Sequence, residues 1–424
     1  MKTDASTLEF FGEWNDILFC ESHFWQSGIN NHFIDKYFDI KRKAAFFIIN
    51  KKQFVFYDRS YFQQIKDQTE NTDPKKLLKN LDNFYSQFKK TREFLLTKLT
   101  TDVEGLDNRE LADLFMNIFT AVVEVTPYDQ YSMAGESLYL EKLDDYLGKQ
   151  LNKIGKEDEF VKYQTILTTP TELSSTQLEE LSLLKMATKF KAGEDVDKEI
   201  KQHVNEFGWL PVFLIASDWN KDYISEQVEI KSRNINLQER LENILNFEKI
   251  QNKKVVKIME SFSEQSLWPE IFRKLVFFRN EAETMVSLGS FVLRPVYKEI
   301  YKRTGLVDLG LSYLSPKEIK NLLIDKEDFS EKINRRKKAV VLFSDMELEE
   351  IIEGDEALEI FEKIHNQKTK TTFEVNNGEK DNIQQGTPAS LGRTEGLVKV
   401  INSADDLNKF EKGNILVAPS TCID

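Results

Sequence analysis

From Asp107 onward, Leu111, Leu114, Phe115, Ile118, Phe119 and Val122 fall at the i, i+3, i+4, i+7 intervals that gather side chains on one face of an α-helix. Asp107 and Glu110 match a capping box, in which the N-cap side chain and the acid three residues on satisfy each other's backbone donors. The same logic predicts a helix from Ser174, with Gln177 three residues later and Leu178, Leu181 and Leu184 behind it. Residues 74–99 read as helical. Leu237, Leu241, Ile244 and Leu245 open another helix. Phe272, Leu275 and Val276 lie in a long helical segment that runs toward Gly305, a residue suited to a helix C-cap. Ser315-Pro316-Lys317-Glu318 supplies an N-cap serine, a proline at the first helical position and an acid at N3, so a helix is predicted to start there and carry Ile319, Leu322 and Leu323.

The clearest strand signal in the first hundred residues is 44–57, where two β-prone runs flank Asn50-Lys-Lys-Gln53 and predict a hairpin. Residues 341–365 hold nine acids and one lysine around a stripe of Met346, Leu348, Ile351, Ile352, Leu358, Phe361 and Ile364. They are expected to form one or two amphipathic helices with an acidic solvated face. After His365 the texture changes. Residues 366–385 are polar, lack a helical stripe and contain the turn dipeptide Asn377-Gly378, which suits a linker. Strands are predicted at 397–401 and 414–418, with a short helix from Ser403 to Phe410 and a turn at 411–413 between them. Four glycines (386, 392, 396, 413) fall in the last 39 residues, against a Gly-poor body. The chain is therefore divided into an N-terminal α/β segment (1–105), a helical domain (106–365), a linker (366–385) and a C-terminal unit (386–424).

Composition supports a mainly α-helical body with a small N-terminal β element. Only 17 glycines and 9 prolines occur in 424 residues, roughly half of ordinary usage, which argues against a sandwich, barrel or propeller. Thirty-one phenylalanines promise a ring-rich core. The net charge of −13 has the wrong sign for a general nucleic-acid binder. Cys20 and Cys422 form neither a disulfide framework nor a Cys-x-x-Cys pair, in keeping with a reducing compartment. The longest apolar run, 209–216, is far short of the ~20 residues a membrane helix needs. An acid at Asp4 stands where a signal peptide would begin its apolar region. A cytoplasmic protein acting on neither nucleic acid nor membrane is expected.

No phosphate-binding glycine loop and no His-Glu-x-x-His motif occurs. His23 and His32, nine residues apart among Phe24, Trp25 and Phe33, suit aromatic packing better than one metal-binding helix face. His203, beside Phe207, Gly208, Trp209 and Pro211, reads as a packed or partly exposed histidine near a turn. Arg335-Arg-Lys-Lys338 is the densest basic cluster and reads as a solvated helix end. Asp144-Asp145 reads as a solvated acid pair. No catalytic or metal-ligating residue is assigned.

The run Gly386-Thr-Pro-Ala-Ser-Leu-Gly392-Arg-Thr-Glu-Gly396-Leu-Val-Lys-Val-Ile, followed by Ser403-Ala-Asp-Asp-Leu-Asn-Lys-Phe-Glu-Lys-Gly413-Asn-Ile-Leu-Val-Ala-Pro-Ser-Thr421, resembles the opening of the phosphohistidine swivelling domain of the phosphoenolpyruvate-utilising enzymes. Phosphoenolpyruvate synthase, pyruvate phosphate dikinase and rifampicin phosphotransferase belong to that family. The likeness covers about a tenth of the chain. A weaker one extends to 202–209 and to 278–319, where Arg279-Asn280-Glu281 stands in place of the Arg-Glu common in shorter members. The resemblance implies that residues 386–424 are the first part of a β/β/α domain that swings a phosphorylated histidine between two sites. Neutral imidazole suits that task because one ring nitrogen can attack while the other is held. The family's histidine follows a glycine pair in a Ser-His-Ala context beyond the second strand, and His23, His32, His203 and His365 all lack that context. The carrier histidine is therefore expected beyond Asp424. ATP and Mg, implied for the family, would be bound by an ATP-grasp-type nucleotide-binding domain or protein in trans and not by this chain. The alternative is a non-catalytic helical scaffold or regulatory module that carries a swivel-like β domain.

Overall fold

A computed structural model describes residues 7–15, 20, 22–23, 43–212, 218–307, 309–344, 349–372, 394–400, 411 and 413–417. The fold is mainly helical, 68% of the described residues lying in helices, with a small antiparallel sheet and a separate pair of strands near the C-terminus. Five strands make the sheet: β1 (Leu8–Asn15), β2 (Ala44–Ile49), β3 (Lys52–Asp58), β4 (Ala339–Ser344) and β5 (Glu349–Glu353). The helices following β3 are α1 (Arg59–Asn71), α2 (Pro74–Lys98), α3 (Asn108–Val123), α4 (Pro127–Ile154), α5 (Phe160–Thr168), α6 (Ser175–Lys191) and α7 (Asp197–Phe207). Then come α8 (Lys221–Ser232), α9 (Leu237–Leu245), α10 (Phe247–Ser261), α11 (Trp268–Thr304), α12 (Pro316–Ile324), α13 (Ser330–Lys338) and, after β5, α14 (Asp355–Thr372). The last two strands are β6 (Val398–Val400) and β7 (Ile415–Val417). Two compact units result, residues 1–371 and 372–424.

Local signals mark the helix starts. Asp107, Ser174 and Ser315 each close a full capping box, with Glu110, Gln177 and Glu318 respectively. Helix α2 begins at Pro74 behind an Asp73 cap, as the 74–99 reading anticipates. The long helix α11 spans 37 residues, about 55 Å at 1.5 Å per residue, and ends at Gly305 with φ +70°. It runs through the middle of the main core and packs on α2, α3 and α4.

The predicted hairpin forms, with Ala44 opposite Tyr57 and Ile49 opposite Lys52. Its two-residue turn puts Asn50 at φ 51° and Lys51 at φ 62°, the left-handed pair whose twist suits tight hairpins. The sheet order β1-β3-β2-β4-β5 then joins residues from both ends of the first unit, all antiparallel. Central strands β2 and β4 are buried along their whole length. Alternate residues face different cores: Ala44, Phe46, Ile48, Val340 and Leu342 meet the helical bundle, whereas Ala45, Phe47, Val341 and Phe343 meet a second cluster closed by Ala357 and Ile364 of α14.

That double burial corrects the helical expectation for 341–365. Ala339-Val-Val-Leu-Phe-Ser344 is a continuous, β-branched apolar run, the pattern of a strand covered on both faces. Glu349-Glu-Ile-Ile-Glu353 forms the edge strand, where charge blunts unwanted pairing. Only from Asp355 does the acidic stretch become a helix, and α14 continues to Thr372, seven residues into the polar stretch read as linker. The core also runs across the boundary drawn at 105/106: Leu95 and Val103 share one cluster with Leu111 and Phe115.

In the second unit, β6 and β7 pair in parallel, Val398 opposite Ile415 and Val400 opposite Val417. The Ile415 amide donates to the Leu397 carbonyl at 2.9 Å. Gly396 lies so close to the loop that an added Cβ would stand 2.4 Å from the Gly413 carbonyl oxygen. Residues 386–393, the Ser403–Phe410 segment, the Asn377-Gly378 turn and Cys422 lie outside the described residues.

Candidate functional site

Among the described residues, a cleft of about 560 Å³ opens where the start of α12 meets α3, α13 and β5. Its apolar lining comes from Met116, Phe119 and Val123 of α3, with Phe329 and Ile351. Its polar lining includes Lys317, Glu318, Asn321, Glu327, Lys332 and Glu349, and the buried His23 adds a ring.

Glu318 organises this wall. Its carboxylate accepts from the Ser315 backbone N–H at 2.8 Å, closing the capping box. It also takes the Arg336 guanidinium in a two-pronged grip, 2.6 Å from one amine and 3.0 Å from the other, and Lys332 Nζ at 2.8 Å. Arg336, only 2% exposed, further donates from Nε to Glu353 at 2.8 Å and to the Tyr313 carbonyl at 2.9 Å. One guanidinium thus ties α12, α13, β5 and the turn at 310–313 together. Burial pushes the Glu318 carboxyl up, but the hydrogen bonds from Arg336 and Lys332 outweigh it and hold it at about 2.

A carboxylate held so low stays ionised throughout the physiological range and is a feeble general base. Glu318 is therefore an anchor for Arg336 and Lys332 rather than a group suited to shuttling a proton. The stability consequence has a definite sign. Because the folded-state pKa lies below the ordinary 4.5, the contribution of Glu318 is complete above pH ~4.5 and is lost as pH falls toward 2. The stability difference between the wild type and Glu318→Gln, followed by urea denaturation, is expected to shrink by about 3 kcal/mol over that window. Parallel acid profiles for the two proteins would contradict the assignment.

The basic cluster is thus only partly a solvated helix end. Arg335 and Lys338 are half exposed and reach Glu353 and Asp355, but Arg336 points inward and is among the largest fully buried side chains. The two halves of this arrangement, Ser315–Glu318 and 335–338, were each legible alone, but the pairing was not, because it joins positions 18 residues apart through a turn.

The histidines go elsewhere. His203 on α7 is buried, its Nδ1 3.0 Å from Ser182 Oγ and its Nε2 3.1 Å from the Glu179 carboxylate on α6, with the Phe207 ring beside it. It serves as a packed cross-link between α6 and α7. His365 packs against Phe54 and Phe361 over the sheet. His32, Phe24, Trp25 and Phe33 lie outside the described residues. Asp144 accepts from the Gln164 side chain at 2.7 Å, and burial raises its pKa, so it is a helix-to-helix contact rather than a solvated acid.

In the 278–281 stretch, Arg279 pairs with Glu136 on α4, while Glu281 turns to α6. The buried Glu281 carboxylate accepts from the Ser175 backbone N–H at 2.8 Å and Oγ at 2.7 Å, and burial nonetheless lifts its pKa. Arg279 and Glu281 therefore act as separate staples between helices. No helix among the described residues is long and apolar enough to cross a membrane, and no group of three or more His, Cys, Asp or Glu among them could hold a metal ion. Compared with known proteins, the chain matches no protein-family model and no curated protein.

Proposed function

We propose that this chain is a component of a phosphohistidine phosphotransferase of the phosphoenolpyruvate synthase and pyruvate phosphate dikinase type. The carrier histidine would belong to the part of the swivelling fold that follows the β6–β7 pair. The observation that carries this reading is the parallel strand pair itself: two short strands from the two predicted segments, in a unit separate from the body, locked where Gly396 abuts the Gly413 carbonyl. Both glycines belong to the run that resembles the swivelling domain. Close approach there tolerates no side chain, which is a physical reason for glycine at that spacing.

In this reading an ATP-grasp-type partner in trans binds ATP and Mg. Phosphoryl transfer then depends mostly on positioning and charge neutralisation. The test uses the gene product read through to its stop codon. Incubated with radiolabelled ATP, Mg and candidate partner domains, it is expected to acquire phosphate that is labile to acid and stable to base. Absence of such label with every partner, or a label that survives acid, would count against the relay.

A second reading, a scaffold that uses the strand pair for contacts, draws on the exposure of Leu397, Val398, Val400, Leu416 and Val417. The same experiment separates the two, since a scaffold takes up no phosphate.

A further inference from the structure

Two clefts away from the α12 site share the residues Glu270 and Arg273 on the first turns of α11. One, of about 440 Å³, is lined by Lys75 at the start of α2, by Gln265 and Ser266, and by the apolar Met259, Leu267 and Pro269. The other, of about 340 Å³, continues along the helix past Lys274 to Glu172 and Asn252.

The acids here are already engaged. Glu270 lies 3.6 Å from Lys274 Nζ, and Lys274 also pairs with Asp82. Glu172 accepts from the Tyr85 hydroxyl at 2.9 Å. The cations of the larger cleft are not matched in the same way. Arg273 donates one long bond, 3.2 Å from a terminal amine to the Leu167 carbonyl, and forms no ion pair with any described residue. Lys75 likewise forms none; only its backbone N–H is used, by the Asp73 cap. In a chain carrying thirteen surplus negative charges, this half-apolar cleft holds two cations outside any ion pair and a single acid, Glu270, which is itself shared with Lys274.

Burial pulls the Arg273 pKa down, with the Glu270 charge acting the other way. A desolvated guanidinium with no direct ion pair is a liability that an anion relieves. Arg273 alone would neutralise a carboxylate. The additional point charge of Lys75 matches a second negative charge, and arginine's fork fits the oxygens of a phosphate.

We propose that the cleft between the starts of α2 and α11 binds the phosphate group of a small organic phosphate, with Arg273 and Lys75 holding the dianion and Met259, Leu267 and Pro269 receiving its apolar part. The site is independent of the relay reading, since a chain that never carries phosphohistidine can still bind a phosphate ester here.

Phenyl phosphate, inorganic phosphate and benzoate titrated into the intact chain, followed by calorimetry and by phosphorus NMR for the two phosphates, test this. Phenyl phosphate is expected to bind with a dissociation constant of about 1 mM or tighter, ahead of both inorganic phosphate and benzoate. Arg273→Gln is expected to weaken it by about tenfold or more. Lys75→Ala, a change at an exposed side chain that leaves the fold intact, is expected to weaken it severalfold, whereas Lys90→Ala, on an exposed face of α2, leaves it unchanged. Circular dichroism checks that Arg273→Gln remains folded. No binding to the intact chain, binding that survives Lys75→Ala, binding that survives Arg273→Gln in a folded variant, sensitivity to Lys90→Ala, or a preference for benzoate or inorganic phosphate would overturn the proposal.

Discussion

Replacing Arg336 with alanine is expected to destabilise the first unit by about 3–5 kcal/mol, the range for breaking a buried ion pair by removing one partner. The loss exceeds that of a surface pair, which is worth about 0–1 kcal/mol, for a structural reason. Arg336 is 2% exposed, and its two acid partners, Glu318 and Glu353, each have side chains only 13% exposed. Once the guanidinium is gone, Glu353 keeps Arg335 and Glu318 keeps Lys332, but both lose the central charge between them. The Tyr313 carbonyl also loses its donor. Arg336→Lys should recover only part of the stability, because an ammonium cannot reproduce the fork on Glu318 while reaching Glu353 and Tyr313. Guanidinium denaturation gives the magnitudes. Hydrogen exchange should show the first turn of α12 and strand β5 opening together in Arg336→Ala. A loss below about 1 kcal/mol would mean that the three elements are held by their apolar contacts and that the ion network is incidental.

The network also shows where the sequence was readable and where it was not. Several signals written in neighbouring residues were legible: the capping boxes at Asp107, Ser174 and Ser315, the hairpin around Asn50 and Lys51, and the C-cap at Gly305. These depend on interactions within a turn or two, so spacing alone specifies them. The failures depend on partners far away in the chain. Residues 339–344 become a strand because β2, nearly 300 positions earlier, offers an edge and because α14 covers the outer face. A short apolar run cannot reveal by its period whether its neighbours will be strands or helices. Arg336 looked like one more basic residue among four because its burial depends on Glu318 and Glu353 converging from two other elements. Arg273 carried no sequence signal at all, since what distinguishes it is that the fold brings no carboxylate into ion-pair range of it, Glu270 being turned to Lys274. The strands predicted from the apolar runs at 397–401 and 414–418 were legible too, since β6 and β7 lie within them; the swivelling-domain likeness is a different matter, left to the phosphorylation experiment.

Gly289→Val in the middle of α11 should cost about 3 kcal/mol, the upper end for overpacking a core, even though glycine inside a helix is ordinarily a weakness. Helix propensity alone would favour the change: most side chains gain up to ~1 kcal/mol over glycine at an interior helical site. The neighbouring helix reverses the sign. A Cβ at position 289 would stand 2.3 Å from Val122 Cγ2 on α3, well inside van der Waals contact. Val122 cannot swing aside, because a β-branched side chain in a helix has essentially one χ1 rotamer, and it is itself fully buried beside Phe119 and Val123. The two helices must therefore separate, which would disturb the packing of α11 along the main core. The compensating change is Val122→Ala. By itself it leaves a cavity and should destabilise by about 1–3 kcal/mol. Combined with Gly289→Val it moves bulk from one helix to the other at nearly constant volume, a class of swap that cores tolerate. The double variant should consequently be more stable than the sum of the single effects predicts, by about 2 kcal/mol, measured as a coupling energy from denaturant midpoints. Additivity in that cycle would show that α3 and α11 do not meet through this pair. A positive coupling identifies the glycine as the point where the longest helix gains its close approach, and with it the placement of both the Arg273 cleft near its start and α3 beneath the Glu318 site.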